Sequence, residues 1–285
     1  MEPVALVSTR DRPIQKALED ALQLIGGCPA LDSPILIKPN ICTDIDNTGA
    51  ATTSTDVIAA LIQLLISHDA SVAIRIVESD SESKYIDEAY AKLGYRTLVA
   101  TYQQEGYDVQ LVNLSAPPLA TASFSGSYFT TPSVHPVLLK SRSLISLAVP
   151  KTHSLTLVTG VMKNLFGLLP RKGQSFYHPH INDVIVDLNR CITPTLCIVD
   201  ARVGLEGVIS GRPRRLDAVV MGVHPVSVDA VMAQIMGFDP TTIRHLVDAV
   251  QYGLGTLAPA IRGSTLSSIQ TSFAPPTHLR ATAII

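Results

Sequence analysis

Short apolar runs alternate with amphipathic runs through most of this 285-residue sequence. The apolar runs, at residues 35–37, 71–77, 144–149 and 195–199, have the length and β-branched content of buried strands. Between them, residues 12–24 and 56–67 carry apolar side chains at helical spacing. This alternation predicts an α/β fold, with a layered, largely parallel or mixed sheet and helices on both faces.

Composition limits the class of protein. Hydrophobic residues make up 46% and charged residues 16% of the chain, which is typical of a folded protein with a large core. No shift in composition divides the sequence, so we expect residues 1–285 to form a single α/β domain. The net charge of −2 gives no electrostatic reason to expect nucleic acid or membrane as a partner.

Targeting and redox signals are weak as well. The sequence has no run of 18 apolar residues and no basic segment followed by an apolar one near its start, so we expect a cytoplasmic protein. Its four cysteines form no C-x-x-C pair, and we expect no iron–sulfur cluster. The sequence neither predicts nor excludes a homodimer.

Polar side chains follow four of the predicted strands. Ligands of open α/β sheets bind outside the carboxyl ends of the strands, so we expect these groups to share one cleft. The strand ends carry Lys38 and Asn40, then Glu78 and Ser79, then Lys151, Thr152 and His153, and finally Asp200.

The segment after Pro150 predicts a helix that extends to about Leu169. Apolar residues fall on one stripe of that helix, while Lys163 and Asn164 lie elsewhere on it. A lysine is costly to bury without a partner, so we expect Lys163 to reach the same cleft. The alternative is that these lysines are solvated and that His153 is satisfied by backbone.

Three further segments carry candidate polar groups. Thr52 and Thr53 precede the helix at 56–67, where they can either bind an anion or cap the helix. His178 and His180, in a polar loop, suggest a divalent metal, although no third ligand is fixed by spacing. Residues 115–133 are predicted as a loop or irregular hairpin, and their position suggests a lid.

Two later segments complete the prediction. Residues 204–215 are predicted as a turn-rich loop and residues 239–252 as a helix.

Dinucleotide-binding, P-loop and nucleophile-elbow motifs are all absent from the sequence, which removes support for those common functions.

The motifs also resemble those of the family called domain of unknown function 362, over about residues 30–255. The resemblance is carried by Leu36-Ile-Lys-Pro-Asn40, Ala51-Thr-Thr53, Val77-Glu-Ser79, Val149-Pro-Lys-Thr-His153 and Thr159-Gly-Val-Met-Lys-Asn-Leu-Phe-Gly167, and further along by His178, Val199-Asp200, Gly204-Leu-Glu-Gly207 and Ser227-Val-Asp-Ala-Val231. It implies no assigned chemistry. Some relatives carry a ferredoxin-like segment, but this sequence lacks its cysteines.

These observations favour an enzyme that acts on a small anionic metabolite bearing a carboxylate or phosphate. Lys38, Lys151 and Lys163 would supply positive charge, and His153 would be the general acid or base. Glu78 or Asp200 would orient the histidine or bind a metal. The chemistry we expect is proton transfer next to a carbonyl, in an isomerisation, elimination or cyclisation. Two alternatives are a binding protein without turnover and a redox protein with a bound cofactor.

Overall fold

The computed structural model describes residues 2–276. In chain order, its strands and α-helices are β1 Val4–Ser8, α1 Ile14–Leu24, β2 Ile35–Pro39, α2 Thr55–His68, β3 Ile74–Glu78, α3 Ile86–Lys92, α4 Tyr95–Gln104, β4 Val109–Asn113, β5 Ala120–Thr121, β6 Ser133–Val134, α5 Val137–Lys140, β7 Ser143–Ala148, β8 Lys151–His153, β9 Leu157–Thr159, α6 Val161–Asn164, α7 Ile181–Cys191, β10 Leu196–Gly207, β11 Gly211–Gly222, α8 Pro225–Ile235, α9 Arg244–Val250, β12 Ile261–Gly263 and α10 Leu266–Ile269.

The main sheet has the strand order β12-β1-β11-β10-β7-β2-β3-β4. Neighbours from β10 through β7, β2 and β3 to β4 run parallel, and so do β12 and β1. Strand β11 runs antiparallel to both β1 and β10. The sheet is therefore mixed and mostly parallel, as the sequence predicts.

Helices cover both faces of this sheet because successive strand residues point to opposite sides. In β2, Ile35 and Ile37 pack with the helices α1 to α4, whereas Leu36 packs with α5 to α9 on the other side. The predicted α/β class with helices on both faces is confirmed. Within residues 2–276, no helix has the length and apolarity needed to cross a bilayer.

The segment after Pro150 is not the long helix that its apolar stripe predicts. Strands β8 and β9 form an antiparallel hairpin, and His153 pairs with Leu157. Helix α6 has four residues and continues as a 3₁₀ turn over Leu165–Leu168. The sequence pattern misses the hairpin because its pairing to β10 is a long-range contact.

The predicted loop at 204–215 is wrong for a similar reason. Strands β10 and β11 continue through it as a hairpin arm, from Leu196 to Gly222, with a short turn at residues 208–210. Gly207 and Gly211 face each other across that turn with φ of 147° and 146°. The predicted helix at 239–252 is shorter, a 3₁₀ turn at Pro240–Thr242 followed by α9.

Candidate functional site

A cavity of about 200 Å³ opens at the carboxyl ends of β2 and β3. Helix α6, the β8–β9 hairpin and the turn at 208–210 complete its wall. Seven of the residues singled out for this cleft and one predicted metal ligand line it, namely Lys38, Asn40, Glu78, Lys151, His153, Lys163, Asn164 and His178.

The deepest charged contact in the cavity is a buried ion pair. Lys38 Nζ donates to Glu78 Oε2 at 2.6 Å and to the carbonyl oxygen of Pro39 at 2.6 Å. Burial lowers the pKa of Lys38, and the charge of Glu78 opposes that shift. Glu78 also accepts from the backbone N–H of Ile41 at 3.3 Å and of Ser79 at 2.9 Å, which orients its carboxylate.

Asn164 ties α6 to this ion pair. Its Oδ1 accepts from Lys38 Nζ at 3.3 Å and from Asn40 Nδ2 at 3.4 Å. Its Nδ2 donates to the carbonyl oxygen of Lys38 at 2.8 Å and to Ser146 Oγ at 3.1 Å. All four of these residues are buried, so the network fixes the position of the short helix relative to β2 and β7.

Lys151 is buried among neutral acceptors. Its Nζ donates to Asn40 Oδ1 at 2.5 Å, to the carbonyl oxygen of Ala51 at 2.9 Å and to Cys42 Sγ at 3.1 Å. In the described part of the chain it has no ion pair. Its positive charge is therefore held in place by dipoles and has no countercharge in contact with it.

Lys163 differs from the other lysines of the cavity. Its half-buried amine has no hydrogen bond and no ion pair with residues 2–276, and it lies 5.1 Å from the centroid of the Phe166 ring. Burial and the charge of Lys151 lower the pKa of Lys163 to about 8.

The N-terminus of α6 is fixed by a buried carboxyl from α8. Asp229 accepts from the backbone N–H of Val161 at 2.7 Å and of Met162 at 2.9 Å. Burial raises the pKa of Asp229 to about 7, and the two N–H groups oppose that rise. A Cβ at Gly160 would lie 2.1 Å from Asp229 Oδ1, so this close approach requires glycine.

His153 is a neutral side chain in this cavity. Its Nδ1 accepts the backbone N–H of Leu155 at 3.1 Å, so in the neutral ring the proton is on Nε2. Burial first, and then the charge of Lys163, lower the pKa of His153 to about 2. His153 thus offers an N–H donor, and its other nitrogen is already engaged.

Thr152, by contrast, does not line the cavity. It lies between Lys151 and His153 on β8, and alternate residues of a strand point to opposite faces. Thr53 is also buried and used structurally, since its Oγ1 accepts from the N–H of Asn40 and donates to the carbonyl oxygen of Leu147. The hydroxyl of Ser79 accepts from Gln174 Nε2 at 3.2 Å.

Asp200 and Thr52 belong to a separate, neighbouring cavity. Asp200 accepts from Arg202, which also binds Asp56, and Thr52 donates to Asp46 at 3.0 Å. The expectation that Asp200 joins the lysines is wrong because β10 does not end there. That strand continues to Gly207, which leaves Asp200 in its middle.

His178 and His180 do not form a metal site together. His178 lines the cavity, while the ring of His180 lies 5.3 Å from that of Tyr128. Burial and the charge of Lys163 lower the pKa of His178. Over residues 2–276, no three His, Cys, Asp or Glu side chains are grouped as metal ligands would be, so the structure gives no support to the metal prediction.

Sequence reasoning missed Lys84, Cys42 and Gln174 in the cavity wall. Lys84 is buried, donates to the carbonyl oxygen of Ser79, and lies 3.9 Å from Glu78 Oε1. It sits in a turn after β3 rather than at a strand end, and an isolated turn lysine gives no signal. A buried lysine six residues after a strand-end acid is recognisable only once the turn is folded.

The segment at 115–133, predicted as a loop or irregular hairpin, carries the small hairpin of β5 and β6 and is held by a buried carboxylate. Asp187 of α7 accepts from the backbone N–H groups of Ser127, Tyr128 and Phe129 at 2.7–3.0 Å. Tyr128 and Phe129 pack against Tyr177, close to His178. The segment is therefore attached to one wall of the cavity.

Positive charges outnumber negative charges in this cavity. Four lysines line it, and Glu78 is its one buried carboxylate among the described residues, since Glu82 is exposed at the rim. Lys38 and Lys84 share Glu78, while Lys151 and Lys163 have no countercharge. Fold and site together define an α/β protein with a small, positively charged cavity at the carboxyl ends of its parallel strands.

The chain belongs to the family described as Domain of unknown function (DUF362), whose model matches residues 35–234. It is 24% identical over 254 residues to a thylakoid-associated protein of Synechocystis sp., covering 85% of this chain and 76% of that one. Among solved structures it is similar to the lactate racemase apoprotein from Thermoanaerobacterium thermosaccharolyticum, at 10% identity and a TM-score of 0.47, over 81% of this chain and 57% of that one.

Proposed function

We propose that the protein is an enzyme that binds a small anionic metabolite at Lys151 and Lys163 and catalyses proton transfer next to a carbonyl group. The observation that carries this proposal is the positive charge of these two lysines, which no carboxylate in contact with them balances. A buried cation without a countercharge costs free energy, and a bound carboxylate or phosphate would remove that cost.

The other polar groups of the cavity support this assignment. The Lys38–Glu78 pair and the two asparagines satisfy one another and hold the wall rigid. His153 Nε2, which has no hydrogen-bond partner in residues 2–276, would donate to a carbonyl oxygen of the substrate. Such a donor stabilises the negative charge that develops on that oxygen when a proton leaves the adjacent carbon. Loss of that proton is the shared first step of the isomerisations, eliminations and cyclisations that proceed through an enolate.

The second candidate is a protein that binds the same anion without turnover. One observation favours it: Nδ1 of His153 is occupied by the N–H of Leu155, so the histidine cannot accept a proton in this arrangement. An enzyme would then need another base, or would have to break that hydrogen bond.

Calorimetry with pyruvate, acetate and inorganic phosphate tests the binding. Lys151→Met should weaken binding by roughly 10–100-fold, the loss expected for a hydrogen bond to a charged group. Lys140→Met is the matched control because Lys140 is exposed on α5, and it should bind like the wild type. If none of the three anions binds, or if both variants bind equally, the assignment is wrong.

Turnover is tested by NMR in D₂O with whichever carbonyl acid binds. The enzyme proposal predicts that deuterium replaces the hydrogen next to the carbonyl faster with protein than with Lys151→Met. Tight binding without any enhanced exchange would favour the second candidate.

A further inference from the structure

One lysine of the cavity is set apart from the other three by its contacts. Lys38 donates to Glu78, Lys84 to the carbonyl oxygen of Ser79, and Lys151 to Asn40 and Ala51. Each of those amines has its protons directed at oxygen acceptors, which hold it in the cavity wall. Lys163 has no such acceptor among residues 2–276, so its amine is available to react.

We propose that Lys163 is a nucleophile that forms an imine with the carbonyl carbon of an anionic oxo acid. This inference rests on the proposed function and narrows its substrate class from anionic carbonyl compounds in general to oxo acids, whose ketone or aldehyde carbon can form an imine. Lysines that react in this way lie in desolvated pockets or next to another cation, and the half-buried Lys163 shares its cavity with the cation of Lys151.

The neighbours of Lys163 are suited to binding the oxo acid and to forming the imine. Lys151 carries a fixed positive charge for the carboxylate of the oxo acid. His153 presents Nε2–H as a donor to the carbonyl oxygen, which makes the carbon more electrophilic. Phe166 lies beside the amine and can stabilise the cationic imine that replaces the ammonium group.

The step balances without an oxidant or reductant. The lone pair of the neutral amine forms a C–N bond while the π pair of the C=O bond moves to oxygen. The oxygen then leaves as water, taking overall the two protons that the amine brought. The resulting imine, once protonated, draws electrons from the adjacent C–H bond, which makes the proton transfer proposed above easier than it is in the free oxo acid.

The pH dependence of imine formation follows from the pKa of the Lys163 amine. With a pKa of about 8, roughly a quarter of the Lys163 amines are neutral at pH 7.5, compared with about one in a thousand for a lysine of ordinary pKa. Imine formation should therefore rise as the pH increases from 7 to 9.

Borohydride trapping tests the proposal on the whole protein. The protein is incubated with pyruvate, 2-oxobutyrate or 2-oxoglutarate, the imine is reduced to a stable secondary amine, and the modified lysine is located by peptide mass spectrometry. Acetone supplies a carbonyl without the anion, and acetate the anion without a carbonyl. Lys163→Arg keeps the positive charge with a group that does not form imines, and Lys140→Arg is the matched control.

We expect an adduct on Lys163 with at least one oxo acid, formed at least 10-fold faster than with acetone, and absent with acetate. Lys140→Arg should form it, while Lys163→Arg should not, although Lys163→Arg should still bind acetate in the calorimeter. Anion binding without an adduct at Lys163 for any of the three oxo acids overturns this inference alone, as does labelling spread evenly over exposed lysines. Failure of acetate, phosphate and all oxo acids to bind overturns the proposed function as well.

Discussion

Lys38 Nζ lies 2.6 Å from Glu78 Oε2, and the two side chains are 1% and 3% exposed. Removing one partner of a buried ion pair leaves the other without compensation, at a cost of about 3–5 kcal/mol. We therefore expect Glu78→Gln to lower the free energy of unfolding by that amount in urea denaturation, because Lys38 and Lys84 then repel each other without a countercharge.

Two controls accompany this measurement. Lys16→Met removes an exposed pair with Asp20 and should leave the urea midpoint unchanged. The double variant Lys38→Met/Glu78→Leu removes both charges of the pair and should recover only part of the loss, because Lys84 stays buried without the carboxylate that it shares with Lys38. A wild-type midpoint for Glu78→Gln alone would contradict the prediction.

Lys163→Met should stabilise the empty protein by about 1 kcal/mol at pH 7, because the variant removes a cation that has no countercharge in contact with it. The folded protein releases the Lys163 proton near pH 8 and the unfolded chain near 10.5, so the penalty of burying the charge is fully present below pH 8. The advantage of the variant should therefore shrink as the pH rises from 8 to 10.5. Urea denaturation at pH 7 and pH 9.5 measures it.

For this comparison Lys140→Met serves as the reference, since Lys140 is exposed and the substitution should change nothing at either pH. Equal stability of Lys163→Met and wild type at pH 7 would show that the Lys163 amine is well solvated.

His153 should remain neutral in the empty protein between pH 5 and 8, because its pKa is lowered to about 2. Since the unfolded chain binds this proton near pH 6.5, the contribution of His153 to stability is lost as the pH falls below that value. His153→Gln removes this loss. The difference in unfolding free energy between the two proteins should thus change by about 1 kcal/mol between pH 7 and pH 5.5.

NMR of the imidazole protons provides the direct check. A His153 resonance that titrates near pH 6.5 would contradict the prediction. In Lys163→Met the pKa of His153 should rise, because the second largest cause of its depression is the charge of Lys163.

Asp187→Asn should loosen the segment at 126–129. The buried carboxylate accepts three backbone N–H groups and pairs with Arg190 at 3.2 Å, and an amide can offer one oxygen only. We expect a loss of about 1.5–3 kcal/mol and faster proteolysis within residues 115–133. Asp183→Asn, on the same helix but less buried, should resist protease like the wild type.

The residues that the sequence placed at strand ends were predictable because their position depends only on local periodicity. An apolar run ends, a polar group follows, and parallel strands bring such groups to one edge, as with Lys38 and Glu78. The apolar stripe of a predicted helix places Lys163 in the cavity, but it does not explain how the short helix α6 is held there. Its place depends on the β8–β9 hairpin and on Asp229, neither of which a helical stripe can reveal.

The sequence predicts the wrong end for β10, which runs from the main sheet into a hairpin arm with β11. Asp200 follows an apolar run, yet β10 continues past it as an antiparallel arm, because β11 supplies pairing that the local sequence does not encode. The tautomer of His153 also depends on folded structure that the local sequence does not encode. It is fixed by the turn to Leu155, which no residue spacing predicts.

The contact between Gly160 and Asp229 has an evolutionary consequence. A side chain at position 160 would occupy the space of the carboxyl group that holds α6, 69 residues further along the chain. Neither position can change alone without displacing the helix that carries Lys163 and Asn164. Among homologous proteins we therefore expect the two positions to covary, so that lineages retaining the glycine retain the aspartate, while those that have lost one have lost both and hold that lysine differently.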